Sequence, residues 1–78
     1  MKLRIINSRQ TVRHEVSWID LVTTDGGMII LPEHSPMVAT LAINKELSFK
    51  TKDGRLLHVK VINGGIIEIT RTQVTVLL

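Results

Sequence analysis

The sequence predicts an all-β fold, either a sandwich or a barrel, built from about eight short strands. Hydrophobic residues make up 44% of the 78-residue chain, and nearly all of them are Ile, Val or Leu, types that favour strands. Turn signals recur about every eight to twelve residues, which is typical of small β domains. No segment has the apolar spacing of a helix of about ten residues.

Two strands are predicted before the first glycine. Leu3 to Asn7 is a short apolar run that a polar turn closes. The next segment, Thr11 to Thr24, alternates, but the step from Val16 to Ile19 breaks its period of two. We therefore expect a β-bulge beside Trp18, which would turn this side chain outward or to a sheet edge. The residues of this segment expected to face the core are Val12, Val16, Ile19, Leu21 and Thr23.

Two reversals enclose the following apolar segment. Asp25 to Gly27 is a tight turn signal, and a second turn lies between Pro32 and Pro36. We expect Met28 to Leu31 to be a short buried strand, with both loops emerging at nearby points of the sheet. Polar residues on fixed loops of this kind are where small β proteins commonly contact their partners.

The middle of the chain is predicted to contain a hairpin. Met37 to Ile43 is apolar and is either a short strand or a helical turn, because periodicity does not separate the two at this length. After a turn at Asn44, strict alternation predicts a strand with Phe49 in the core. Asp53 and Gly54 then supply the positive φ angles of a type I′ turn, so a second strand should return beside the first.

Two more strands are expected in the last third of the chain. Asn63 and a pair of glycines interrupt the apolar run before Ile66, where glycine permits a bulge or a corner and lets another backbone approach closely. A turn at Arg71 then leads into the alternating segment Gln73 to Leu78.

The sequence predicts no catalytic residue, no metal site and no cofactor. The absence of cysteine excludes a disulfide framework and a thiolate metal site. The three histidines are not spaced as metal ligands, so His14 and His58 are expected to be hydrogen-bonded or solvent-facing. The serines lack a nucleophile elbow, and the glycine pairs are not phosphate loops. No apolar run approaches the roughly 18 residues that span a bilayer.

Nucleic-acid binding is the alternative function. A net charge of +3 and a pI near 9.8 suit a basic OB-like β-barrel that binds single-stranded nucleic acid. Such surfaces depend on exposed aromatic rings, each stacked base contributing about 1 to 3 kcal/mol. Trp18 and Phe49 are the only aromatic residues, and the basic residues are scattered along the chain. The charge is therefore better interpreted as a solvated surface.

Two stretches carry a resemblance to a known family. Thr24 to Gly26, followed by Leu31 to Pro36, resembles a pattern of an acidic residue and glycine, a short strand, and Leu-Pro-Gly-His-Ala-Pro. Val61 to Ile69, followed by Gln73 to Leu77, is similar to Val-Ser-Gly-Gly-Phe-x-Glu-Val with a terminal Val-Thr-Val-Leu. In this order and separation, the two stretches resemble the N-terminal β-sandwich domain of the epsilon subunit of F-type ATP synthases, called delta in mitochondria.

The resemblance implies a single domain over residues 1–78, a flattened antiparallel β-sandwich of about eight to ten short strands. It further implies a non-catalytic rotor subunit that links the gamma subunit to the membrane c-ring and couples ion translocation to ATP synthesis. Such a subunit is a peripheral membrane protein, on the cytoplasmic face in bacteria. The positions that match the ring-facing loops are Asp25, Gly26, Gly27, Met28, Glu33 and His34. The positions that match the gamma-facing side are Asn7, His34, Ala39 and Asn63.

Three departures from the family pattern have structural consequences. Glu33 stands where the family has glycine, and because glutamate resists positive φ we expect a type I or otherwise altered turn from Leu31 to His34. A second family glycine is Glu46 here. The sequence ends at Leu78, so we expect a fold without the C-terminal helical hairpin that usually follows in this family.

Overall fold

The computed structural model describes all 78 residues as eight strands connected by short turns. It has no helix with the length and apolar character needed to cross a membrane. The strands are β1 (Lys2–Ile6), β2 (Thr11–Thr23), β3 (Gly26–Ile30), β4 (Met37–Leu41), β5 (Lys45–Thr51), β6 (Leu56–Val61), β7 (Gly65–Ile69) and β8 (Gln73–Leu77).

All eight strands belong to one hydrogen-bonded sheet in the order β1-β8-β7-β4-β2-β5-β6, with β3 also on β2. The 13-residue strand β2 pairs with β1 through its first five residues and with β5 and β3 through the rest. A second pairing of β2, with the end of β4 at Thr23 and Leu41, closes the sheet on itself. The molecule is accordingly flattened, 18 Å across its shortest axis, which fits two stacked layers.

The predicted all-β sandwich is confirmed, with one unexpected feature in its pairing. β1 and β8 run parallel, with Leu3 opposite Val74 and Ile5 opposite Val76, whereas every other pair is antiparallel. These four side chains face the core and are buried. The first and last strands of the chain are therefore neighbours in the sheet.

The bulge predicted in β2 is confirmed. The register against β5 shifts between Val16 and Trp18, so that Val16 and Ile19 are both fully buried. Trp18 lies opposite Lys50 and is half-buried on the outer side of the sheet, as the broken periodicity indicated.

The two layers enclose one core of aliphatic side chains around Phe49, which is 1% exposed as predicted. Val12 is only half-buried, although the sequence pattern placed it in the core. The buried hydrophobic residues are Leu3, Ile5, Val16, Ile19, Leu21, Ile30, Leu41, Leu47, Phe49, Val61, Ile67, Ile69, Val74 and Val76.

The apolar segment after the first glycines is less buried than predicted. β3 pairs only with β2, so it is an edge strand, and only Ile30 of this strand is fully buried. Ile29 and Leu31 are 60% and 57% exposed because alternate residues of an edge strand point away from the core. β4, which the sequence left open between strand and helical turn, is a strand because it pairs with β7 along its whole length.

The predicted hairpin of β5 and β6 is present, but its turn is not type I′. Gly54 has a φ of 94°, whereas Asp53 has no positive φ. The Gly54 N–H donates to the Thr51 carbonyl at 3.0 Å, which describes a type I turn followed by a left-handed glycine. The Thr51 hydroxyl also donates to Asp53, and this hydrogen bond lowers the pKa of the exposed carboxyl group.

The glycine pair before β7 allows the close backbone approach that the sequence suggested. Gly64 has a φ of 77°, and a Cβ there would lie 3.0 Å from the Leu41 carbonyl oxygen. At Gly65 a Cβ would collide with the carbonyl oxygen of Leu77, a backbone atom that has no freedom to rotate away. The position of β8 beside β7 therefore depends on Gly65 lacking a side chain.

We expect Gly65→Ala to lower the free energy of unfolding by about 1 to 3 kcal/mol, because the new methyl group must displace a strand. The matched control is Gly27→Ala, since a Cβ at Gly27 would meet only the Leu21 carbonyl oxygen, at 3.8 Å. That control should be neutral or slightly stabilising, because alanine loses less backbone entropy on folding. Urea denaturation of both variants tests this expectation, and equal stabilities would contradict it.

Candidate interaction surfaces

The turn between β2 and β3 displays Asp25 at a fixed position. The Thr23 hydroxyl, which is buried, donates to the Gly26 carbonyl at 3.0 Å and accepts the Asp25 N–H at 3.1 Å. The Thr24 N–H donates to the Thr40 carbonyl at 3.0 Å, which attaches the turn to β4. Gly26 completes the reversal with a φ of 122°. Asp25 is exposed and forms no ion pair within the chain.

The expectation of an altered turn at Glu33 is wrong. Glu33 adopts a φ of 66°, and the His34 N–H donates to the Leu31 carbonyl at 3.2 Å. With Pro32 at the second position, this is the pattern of a type II turn, the same turn that glycine would favour. The Glu33 N–H donates to the Arg71 carbonyl at 3.1 Å, so the turn between β7 and β8 holds Glu33 in this conformation.

The six residues matched to the ring-facing loops do not form one compact cluster. Asp25 and Glu33 lie beyond opposite ends of β3, which by itself spans about 14 Å. The expectation that both loops emerge at nearby points is therefore wrong. Met28, between them, is half-buried and packs against the core. A surface that includes both loops must follow the free edge of β3 along its whole length.

The residues matched to the gamma-facing side are also separated. The Asn7 side-chain oxygen accepts the N–H groups of Arg9 and Gln10 at 2.8 and 2.9 Å, so it orders the turn after β1. Ala39 is half-buried and packs against the core. Asn63 is exposed, and His34 belongs to the distant turn after β3.

A surface that sequence reasoning missed lies between Asn7 and Asn63. Outward-facing residues of the adjacent strands β1, β8 and β7 form one row across the sheet. In this row Leu77 of β8 lies opposite both Ile6 of β1 and Ile66 of β7. Gly64 lies against Ile43, and Gly65 lies against Leu78, so the row continues around the glycine pair. We call this the apolar patch; its members are Ile6, Ile43, Ile66, Leu77 and Leu78.

The apolar patch is exposed enough to be an interface. Ile43, Ile66, Leu77 and Leu78 are 62%, 48%, 45% and 40% exposed, and contiguous apolar surface of this kind marks interaction sites. The sequence contained one signal for this patch, the consecutive residues Ile66 and Ile67. Because neighbouring residues of a strand point to opposite faces, one of these two isoleucines had to face outward.

The remaining polar groups suggest no chemistry. His58 lies 2.8 Å from the Ser48 hydroxyl and 3.1 Å from the Glu46 carboxylate, and the His14 ring packs against Phe49 at 4.9 Å. The hydrogen-bonded, exposed His58 agrees with the predicted hydrogen-bonded or solvent-facing histidine, whereas His14 is half-buried against an aromatic ring. No group of three or more His, Cys, Asp or Glu side chains is arranged to hold a metal ion.

Comparison with known proteins gives a family and a matching fold. The family described as ATP synthase, Delta/Epsilon chain, beta-sandwich domain matches residues 1–78. Among solved structures, a chain in the cryo-EM structure of the Euglena gracilis mitochondrial ATP synthase, OSCP/F1/c-ring in rotational state 1, matches with a TM-score of 0.85 at 23% identity. The match covers 96% of this chain and 48% of that chain, so this chain spans about half the length of that relative.

We expect Glu33→Gly to raise the free energy of unfolding by about 0.5 to 1 kcal/mol. Removal of the Cβ relieves a left-handed penalty of about 1 to 2 kcal/mol, which exceeds the roughly 0.5 to 1 kcal/mol that glycine loses in backbone entropy. Glu33→Ala is the control, because it removes the carboxylate but keeps the Cβ. Thermal unfolding should separate the two variants, and an equal gain from alanine would attribute the effect to charge.

Proposed function

We propose, from the premise that this chain belongs to the ATP synthase delta/epsilon family, that it is a non-catalytic central-stalk subunit of an F-type ATP synthase. It would link the gamma subunit to the c-ring and so couple ion translocation to ATP synthesis. The whole-chain family match carries this proposal. Through the complex the chain would be a peripheral protein of an energy-transducing membrane, on the cytoplasmic face if its source is a bacterium.

The fold suits a part that transmits force. A domain that carries torque has to resist shear between its layers, and here β2 supplies backbone hydrogen bonds to strands of both layers. The additional bridge from Thr23 to Leu41 closes the sheet on the other side. Relative sliding of the layers would break these ladders, so the domain should move as one body.

The gamma subunit would bind the apolar patch. Protein interfaces combine an apolar centre with a polar rim, and Asn7 and Asn63 border the patch at the ends of β1 and β6. These two residues were matched to the gamma-facing side from the sequence alone. In this arrangement Ala39 would support the interface only indirectly, by packing against the core beneath it. His34 would lie outside the interface.

The c-ring would contact the turn at Asp25 and the edge of β3 that follows it. Asp25 would face basic groups on the ring loops, with Gly26, Gly27 and Met28 allowing close approach. Exposed charge pairs contribute only about 0.2 to 1 kcal/mol each, so specificity would come mainly from shape. Glu33 and His34 would take part only if the ring surface follows β3 to its far end.

The nucleic-acid alternative has weak structural support. Phe49 is 1% exposed, and Trp18 is half-buried, so the chain has no platform of aromatic rings for base stacking.

The gamma assignment is tested by titrating the cognate gamma subunit with the chain and following complex formation by size-exclusion chromatography. We expect Ile66→Glu to weaken binding by about tenfold or more, because it places a charge in the centre of an apolar interface. Leu56→Glu is the matched control, since Leu56 is 52% exposed on β6, a strand that does not pair with β1, β7 or β8. Equal loss in both variants would remove the apolar patch from the proposal.

A single-stranded oligonucleotide at physiological salt completes this experiment. Binding to gamma alone supports the central-stalk function. Binding to the oligonucleotide instead, falling steeply with added salt, would establish the nucleic-acid alternative.

The ring assignment is tested with an isolated c-ring. We expect Asp25→Lys to weaken binding about two- to tenfold, because the change replaces attraction by repulsion at an exposed pair. Glu68→Lys is the control, as Glu68 is also exposed and unpaired but lies on β7, which does not pair with β2 or β3. Glu33→Lys in parallel shows whether the surface extends to the far end of β3. Unchanged affinity in Asp25→Lys would contradict the assignment.

A further inference from the structure

We propose that the outer face of β1 and its two neighbours, β2 and β8, holds a binding site for a small anion that carries phosphate groups. A cavity of about 390 Å³ lies on this face. Its charged and polar side chains are Lys2, Arg4, Arg13, His14, Glu15 and Gln73. This site contains none of the residues assigned above to the gamma or ring contacts, although it adjoins the apolar patch along β1.

The strand register places two arginines side by side. Arg4 of β1 lies directly opposite Arg13 of β2, and Lys2 is the next outward-facing residue of β1. Like charges directly opposite on antiparallel strands repel. No carboxylate lies within ion-pair distance of these three side chains, because Glu15 pairs instead with the α-ammonium group of Met1 at 3.8 Å. Glu15, directly opposite Lys2, is the one carboxylate in the lining, so the three basic side chains leave the cavity with a net positive charge.

Arg4 provides a second and independent indication. Its Nε–H is buried and has no hydrogen-bond acceptor, whereas buried polar groups are nearly always paired. The other side of the guanidinium group is engaged, since Nη2 donates to the Thr75 hydroxyl at 3.4 Å. An anion in the cavity would neutralise the facing arginines, and a reorientation of the Arg4 guanidinium group toward that anion would give the free N–H an acceptor.

The chemistry of the cavity favours phosphate over other ligands. Arginine groups bind phosphate oxygens through paired, charge-assisted hydrogen bonds. The volume falls within the range of about 300 to 1,000 Å³ that is typical of small-molecule sites. Leu3 is the only hydrophobic residue in the lining, so an apolar ligand would gain little there.

The test uses inorganic pyrophosphate added to the purified chain at constant ionic strength, adjusted with sodium chloride. The NMR signal of the Arg4 side-chain N–H should shift and saturate with pyrophosphate. Arg13→Gln should weaken the apparent affinity about tenfold, the loss expected for one charge-assisted contact. Lys60→Gln, an exposed change on β6, is the control and should leave the affinity unchanged.

Arg13→Glu adds a second measurement, the Tm of the free chain, which does not depend on the ligand. The new carboxylate would face Arg4, so the free chain should have a higher Tm at low salt while its response to pyrophosphate disappears. Shifts spread over all basic residues, or equal weakening by Lys60→Gln, would overturn the site as diffuse counterion binding. Tighter binding of a hexaglutamate peptide than of pyrophosphate would overturn the phosphate assignment in favour of a carboxylate-bearing partner.

Discussion

The rest of this structure depends on one strand that serves two layers. β2 hydrogen-bonds to β1 before its bulge and to β5 and β3 after it. The bulge is what lets Val16 and Ile19 both face the core while the strand changes direction. Because β2 ends at Thr23, its course also decides where Asp25 is displayed. A shift of register in this strand would move both the core and the surface that we assign to the ring.

Backbone constraints far apart in the sequence set the shape of the surface. Gly65 must lack a side chain for β8 to lie beside β7, and this contact brings Leu77 and Leu78 next to Ile66 in the apolar patch. Glu33 accepts a left-handed conformation because Pro32 fixes one side of the turn and the Arg71 carbonyl holds the other. At both positions a contact with a distant part of the backbone sets the local structure: it excludes a side chain at Gly65 and holds Glu33 at a positive φ.

The alternation of β1 places two different surfaces next to each other. Its outward residues are Lys2, Arg4 and Ile6, so the basic cavity passes into the apolar patch within two residues along one strand. The mutually repelling side chains of Arg4 and Arg13 lie on the outer face of the sheet, whereas the buried side chains of Leu3 and Ile5 lie on the inner face. A protein interface and an anion site can therefore adjoin on one face without disturbing the core beneath them.

Patterns among neighbouring residues were sufficient to predict the all-β class, the bulge beside Trp18, the hairpin at Gly54 and the burial of Phe49. The sequence also carried the family resemblance, from which Asn7, Asn63 and Asp25 are proposed as contact residues. Features that depend on pairing between distant segments could be seen only in the folded chain. The edge position of β3, which exposes Ile29, the parallel pairing of β1 with β8, and the apposition of Arg4 and Arg13 are all of this kind. The φ of Glu33 was misjudged for the same reason, because local propensity favours a negative value and a hydrogen bond to Arg71 overrides it. Hydrophobic periodicity records which face of a strand is buried, but it contains no information about which strand lies beside it.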